Sequence, residues 1–428
     1  MAAEQKIKNR NLVVLGAIMI QLALGAIYAW SVYTRTLVDA GWSKAQTQWV
    51  FSAGLAMFAV LMVVSGRLMP KVGPQKLAMA GGIVLGLGYI LAGIFGAENF
   101  TTTFIFVGLM GGSGIGLGYV VPIAVGMRWF PDKKGLITGL AVAGFGFGAT
   151  LWMAVADKLG PLGGGQLLST VGISKTFIIY GIAYLVIVSI GSIWMVMPTP
   201  CWKPEGWNPS GSTKNPKIPA ESVDFTSSEM LRTPQFYLIL LTFTFGAAAG
   251  LMSIGLMRLW PQEALTNAGF SKEEAGAAAT LAMAVFFALF NGLGRIVWGM
   301  ISDKIGRKSS IIIMMATQGV FVFLFQWMAG NPLTLYLFAI LIGFNFGGNF
   351  ALFPTMTADT FGTKYVGQNY GWVFLAYAVG GIFGPVMGGK LGDMGNFPLA
   401  FSICGVLCLV AVLTIYLVKP ATKPNAVN

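Results

Sequence analysis

Twelve stretches of this chain run for about twenty residues or more with hardly a charge in them, each bounded by charge, Pro or Gly. A helix needs about 20 apolar residues to cross a hydrocarbon core of about 30 Å, so runs of this length leave one environment open. They cover roughly residues 12–36, 46–69, 76–97, 102–126, 135–156 and 174–197, then 236–260, 273–301, 309–329, 332–357, 367–391 and 396–417. The expectation is an all-α membrane protein with twelve transmembrane helices. A charged share of 10% against 56% hydrophobic residues excludes a water-soluble fold, whose charged share is about 25%. The first run is too long for a cleaved signal peptide and lacks a small-residue cleavage site, so it is read as span one.

The net charge of +12 is spread over short loops between the apolar runs rather than over one soluble face, which argues against nucleic acid as a partner. With the N-terminus placed in the cytoplasm, 19 of the Lys and Arg residues fall on inner segments and 7 on outer loops. Cytoplasmic loops carry the positive excess, so both termini are expected inside, in a multi-pass protein of the plasma (inner) membrane. The remaining basic residue, Arg295, belongs to no loop.

The longest polar stretch, 198–235, holds six prolines between Pro198 and Pro219 and reads as a cytoplasmic linker. It divides an N-terminal six-helix half (1–197) from a C-terminal one (236–418), with a tail at 419–428. Thr226 and Glu229 have capping-box spacing for a short helix inside the linker. The halves resemble each other: Gly66-Arg-Leu-Met-Pro-Lys-Val-Gly73 after span two repeats the glycine spacing of Gly299-Met-Ile-Ser-Asp-Lys-Ile-Gly306 after span eight. Two such repeats imply a substrate site between the halves near the midplane.

Arg295 is the candidate centre of that site. An Arg inside a span costs about 3 kcal/mol on insertion scales and persists where it faces a cavity or a partner. It lies roughly 12 Å along its helix from Asp303 by a rise of about 1.5 Å per residue, too deep to snorkel. Its counterpart in the other repeat, aligned through Gly66 and Gly299, is the apolar Met62. Asp39, Asp157, Asp303 and Asp359 all fall near span ends, which leaves a bound carboxylate as the fitting partner for the guanidinium fork. The alternative is a structural Arg295 bonded to backbone carbonyls or water. Asn291, one turn away, reaches the same space with an amide, or else makes an interhelical packing bond.

The basic loops resemble those of the major facilitator superfamily, whose Gly-x-x-x-Asp-(Arg/Lys)-x-Gly-(Arg/Lys)-(Arg/Lys) signature is matched by Gly299, Asp303, Lys304, Gly306, Arg307 and Lys308. In the first copy Gly66 and Arg67 keep the frame, while Pro70 stands where the acid is usual. The resemblance assigns gating to Asp303, Arg307, Gly299, Gly66 and Arg67, and puts the N-half latch in doubt. More narrowly, the chain is similar end to end to the oxalate:formate antiporter family, which includes small monocarboxylate transporters. The specific pieces are Arg128-Trp-Phe-Pro-Asp-Lys-Lys-Gly135, Glu229-Met-Leu-Arg-Thr-Pro-Gln-Phe236, Ala351-Leu-Phe-Pro354 and Asn369-Tyr-Gly371.

That resemblance implies a cavity lined by Tyr28, Tyr119, Phe145, Phe346, Phe350 and Phe374 around Arg295. Oxalate exchangers of this family carry a second buried cation at the position of Tyr377. One cation neutralises one carboxylate, so a monocarboxylate such as lactate, pyruvate or formate is expected, with oxalate as the alternative. The hydroxyls of Tyr119 and Tyr377, with Asn291, are then candidates to hold a 2-hydroxy or 2-oxo group.

The expected activity is secondary active transport by alternating access, as proton symport or anion exchange, by a monomer. No cofactor and no metal is expected: His is absent and the three cysteines, Cys201, Cys404 and Cys408, have no metal spacing. The run Gly114 to Gly118 lacks the strand a nucleotide loop needs. A channel or receptor is the rival, without the charge rings or filter loops of channels. An enzyme is not expected. Glycines every fourth residue at Gly108, Gly112 and Gly116, at Gly144 and Gly148, and at Gly380, Gly384 and Gly388 read either as surfaces for rocking helices or as static packing.

Overall fold

The computed structural model describes residues 9–30, 32–33, 36–37, 40–42, 44–156, 166–199, 202–204, 224–257 and 259–421. Twelve helices among these are long and apolar enough to cross a membrane: Asn11–Trp30, Trp49–Val72, Pro74–Phe95, Phe100–Trp129, Lys134–Ala156 and Leu167–Ser192, then Pro234–Leu256, Lys272–Ile305, Arg307–Met328, Pro332–Phe361, Val366–Gly392 and Phe397–Tyr416. They are spans one to twelve below. Spans one to six pack on one another, as do spans seven to twelve. The two halves meet along two seams, span two against span eleven and span five against span eight.

Local chemistry starts and stops these helices. Side chains of Asn99, Thr233, Ser271, Asn331 and Asn396 accept backbone N–H groups that the first helical turn leaves without a partner. The turns that join span two to three and span eight to nine pivot on Gly73 (φ 88°) and Gly306 (φ 89°), a region that costs glycine nothing. These are matching positions of the repeat, so the sequence likeness marks the same turn built twice. Outward faces carry apolar residues such as Leu15, Phe95, Ile182 and Leu413, as a lipid surround demands.

The span bounds differ from expectation where backbone chemistry interferes. Span one tightens to a 3-10 helix over Gly25–Trp30. Span six begins at Leu167 but bends at Gly172 (φ 76°), and it ends at Ser192, ahead of the expected 197. Span seven stops at Leu256, and a separate helix, Leu259–Asn267, occupies the polar-faced stretch that follows it.

The glycine stripes resolve toward static packing. A Cβ at Gly112 or Gly116 would meet the Gly54 or Phe58 carbonyl oxygen of span two at 2.4 or 2.5 Å, and one at Gly148 the Leu22 oxygen of span one at 2.3 Å. One at Gly384 would meet the Ala248 oxygen of span seven at 2.2 Å. All of these contacts lie within a half. The surfaces between halves use other glycines, described below.

The end of the linker is a built element. Thr226 and Glu229 form the expected capping box on helix Ser227–Met230. Phe225 is fully buried beside Phe361, donates its N–H to the Phe361 carbonyl at 2.9 Å, and its own carbonyl accepts from Asn369 Nδ2 at 2.9 Å. Asp224 takes the Lys364 N–H at 3.0 Å, and the Lys364 carbonyl accepts from Arg128 of the N-terminal half at 3.2 Å. The bundle end that carries these contacts is called the linker end.

Candidate functional site

Span eight sets the frame. From the linker end inward it presents Asp303, Gly299, Arg295 and Asn291 to span five. At Gly299 the helices touch backbone to backbone: a Cβ there would lie 2.2 Å from the Gly135 oxygen, and one at Gly135 would lie 2.3 Å from the Gly299 oxygen. One turn inward, a Cβ at Gly139 would meet the Arg295 oxygen at 2.3 Å. Span two and span eleven repeat the arrangement, with Gly66 on the Gly367 oxygen at 2.3 Å and Gly371 on the Met62 oxygen at 3.0 Å. Met62 thus occupies the place that Arg295 occupies in the other repeat.

Beneath Gly299 the linker end is locked by charge. Asp303 accepts the N–H groups of Gly135 and Leu136 at 3.0 and 2.9 Å, capping span five from the other half. Arg307 pairs with Asp303 at 2.7 Å and with Asp359 at 2.9 Å, and Asp359 also takes Lys134 of the N-terminal half at 3.1 Å. Arg67 makes no ion pair among the described residues. Its guanidinium stacks on Trp372 of span eleven at 5.0 Å.

Arg295 is fully buried between the halves. Its Nη2 and Nε donate to Asn291 Oδ1 at 3.0 and 3.3 Å, and Nη1 donates to the Val142 carbonyl of span five at 2.9 Å. The guanidinium carbon lies 4.1 Å from the ring centre of Phe350 and 5.4 Å from that of Phe145. The structural alternative weighed for Arg295 is therefore partly realised, through one carbonyl and one amide. The carbonyl belongs to the opposite half, so parting the seam removes it. No carboxylate among the described residues pairs with this guanidinium, and three of its five N–H groups are engaged.

Aromatic side chains from both halves close over it. Gly25 lets span one pass within reach of the Phe145 backbone, since a Cβ there would fall 2.1 Å from the Phe145 oxygen. This brings Tyr28 edge-on to Phe145 at 5.1 Å, and its hydroxyl forms a short hydrogen bond with the Tyr377 hydroxyl across the halves. Tyr119 sits at 5.3 Å from Phe145 and 5.5 Å from Phe374, and Phe374 stacks on Tyr377 at 5.0 Å. Phe346 stands one layer back, 5.4 Å from Phe350 and against Gly250 of span seven.

Three contributors were absent from the sequence expectation. Phe58 of span two packs on Tyr119, Phe145, Phe374 and Tyr377 at once. The repeat contained the signal, since Phe58 precedes Met62 by the four residues that separate Asn291 from Arg295. Tyr370 shares a face of span eleven with Phe374 and Tyr377 by its i, i+4, i+7 spacing. The Val142 carbonyl carries no side-chain signal at all. Asp39 and Asp157, two of the acids near span ends, lie outside the described residues, as does Cys201. Cys404 and Cys408 are buried free thiols.

On the far side of Arg295 from the lock, a small cavity of about 10 Å³ lies between the halves, lined by Tyr28, Gly146, Met153, Phe287 and Asn291. The chain is thus sealed at the linker end and tightly collapsed at its centre. Buried polar atoms at a seam between two six-helix halves suit a site that opens to either side in turn.

The family model of the Major Facilitator Superfamily matches residues 12–265 and 248–428. The chain belongs to this superfamily. It is a multi-pass membrane transporter and not an enzyme. The Uncharacterized MFS-type transporter YhjX of Escherichia coli (strain K12) is 30% identical over 88% of this chain and 86% of that protein. The Oxalate:formate antiporter of Oxalobacter formigenes is 27% identical over 93% of this chain and 88% of its own length. Among solved structures, the E. coli fucose:proton symporter FucP superposes with a TM-score of 0.65 at 14% identity, over 95% of this chain and 98% of that one, and so shares the fold.

Proposed function

We propose that this superfamily member carries small monocarboxylates, of the lactate, pyruvate or formate class, across the plasma membrane by alternating access. The observation that carries the reading is the fully buried guanidinium of Arg295 at the seam, held by one amide and one carbonyl oxygen and paired with no acid among the described residues. A planar fork in a low-dielectric site recruits one carboxylate, and a second carboxylate on the same ligand would stay uncompensated. Tyr377 stands hydrogen-bonded to Tyr28 rather than supplying a second positive charge, which favours a monoanion over oxalate.

In this cycle the anion displaces the Val142 carbonyl from Arg295 when the span five and span eight seam parts. Closure at the lock then commits the ligand to the opposite side. The positive excess on the basic loops supports a cytoplasmic linker end with both termini inside, which makes the lock a cytoplasmic gate. Asp303 and Asp359 are held in that gate, so coupling falls to exchange of anions, to a proton travelling on the substrate, or to Asp39 or Asp157 near the span ends.

Binding measurements on purified protein test the reading. Native protein should bind lactate or pyruvate more tightly than oxalate, and Arg295→Lys, which keeps the charge and loses the fork, should weaken binding about tenfold or more. Tighter oxalate binding, or unchanged affinity in the Lys variant, would overturn it.

A further inference from the structure

Two tyrosine hydroxyls at the seam are committed and two are not. Tyr28 and Tyr377 bond each other across the halves, and Asn291 spends its amide oxygen on Arg295. Tyr119 and Tyr370 are both fully buried; the Tyr370 hydroxyl has no hydrogen-bond partner among the described residues, and the Tyr119 hydroxyl makes no hydrogen bond of ordinary length there but is turned to the Arg295 guanidinium. Both rings lie against Phe374, at 5.5 and 5.7 Å, and both hydroxyls lie within electrostatic reach of the Arg295 charge and of each other.

Helix geometry places Tyr370 relative to the guanidinium. Span eight runs toward the linker end, so the Arg295 side chain leans back from it, as its bond to Asn291 confirms. Span eleven runs away from the linker end, so the Tyr370 side chain leans toward it. Tyr370 therefore lies on the lock side of the charge. Thr138, its equivalent in span five by the glycine register Gly135 to Gly367, also ends in a buried hydroxyl without a partner among the described residues. Two gate helices thus carry buried hydroxyls without a partner among the described residues at matching register positions.

We infer that Tyr370, on the lock side of Arg295, and Tyr119 form an oxygen-recognising subsite, which selects carboxylates bearing a hydroxyl or oxo oxygen at C2 over plain aliphatic acids. The subsite rests on the carboxylate-carrier reading. With the carboxylate on the guanidinium, a C2 oxygen accepts from one or both phenols, and a ligand lacking it leaves them unmatched. Tyr377 and Asn291, the first candidates for this contact, serve instead to tie the halves and to orient the charge.

The test compares lactate with propionate, which differ by the C2 hydroxyl, on the full-length chain in detergent. Native protein should prefer lactate by about tenfold, the worth of one good hydrogen bond. Tyr370→Phe should erase most of that preference, weakening lactate about tenfold while propionate moves less than about twofold. Without ligand the Phe variant should melt no lower than native, because the hydroxyl it loses bonds nothing in the fold. An unchanged lactate-to-propionate ratio in the variant overturns the subsite, as does a native ratio near one, or a melting point several degrees lower that reveals a packing role. Native protein that binds neither acid sinks the carrier reading and the subsite with it. Binding of both acids with an unmoved ratio sinks the subsite alone.

Discussion

The two seams between the halves are alike in backbone and unlike in chemistry. Gly299 on Gly135 and Gly66 on Gly367 bring their helix pairs to the same backbone contact, within a tenth of an ångström by the Cβ clash each would create. Yet the span five and span eight seam holds Arg295, the Asp303 cap and the Arg307–Asp359–Lys134 lock, while the span two and span eleven seam holds Met62, Pro70 and a cation stacked on Trp372. The repeat fixes how closely helices approach; the residues decide which approach carries charge.

The missing acid at Pro70 has a local explanation. Asp303 is needed because Gly135 and Leu136 begin a helix and turn their N–H groups toward span eight. The first N–H groups of span eleven find acceptors in their own loop, Val366 on the Thr363 oxygen at 3.4 Å and Gln368 on the Tyr365 oxygen at 3.0 Å. That loop is itself tied down by the Asp224 and Phe225 end of the linker. One latch is a carboxylate and the other is a strapped loop.

Replacing both glycines breaks the comparison most severely. Gly299→Val and Gly66→Val each drive a side chain into a carbonyl less than 2.5 Å away, so uptake into proteoliposomes should fall about a hundredfold or more in both. A Gly66 variant that still transports would show that only one seam has to close. Asp303→Asn comes next: it loses the charge that strengthens two helix-capping bonds and the Arg307 pair. Uptake should drop about tenfold, with faster labelling of a cysteine placed at the linker end. Unaltered uptake and labelling would remove the lock from the gate. Pro70→Asp should do least, changing uptake less than about twofold, since span eleven offers few free N–H groups to a new acid. A large gain would mean that the asymmetry is only an absent residue.

Much of this arrangement was legible in the residues. The apolar lengths gave twelve spans, and the Gly66 and Gly299 register correctly paired Met62 with Arg295, a match the structure repeats at Gly371 and Gly139. The glycine stripes were ambiguous because close packing within a half and sliding between halves ask for the same small residues. The Val142 carbonyl was invisible, since every residue has one and only a neighbouring helix decides which is used.

The sequence by itself determined the membrane, the spans, the two repeats and the lone deep charge, because each follows from local hydrophobicity or spacing along one helix. Only the tertiary structure decided which hydroxyls are spent and which are unused, which acid caps which helix, and which glycines face the other half. Those are properties of distances between residues more than a hundred positions apart, as between Val142 and Arg295 or Tyr28 and Tyr377. No pattern along the chain encodes them until the helices are brought together.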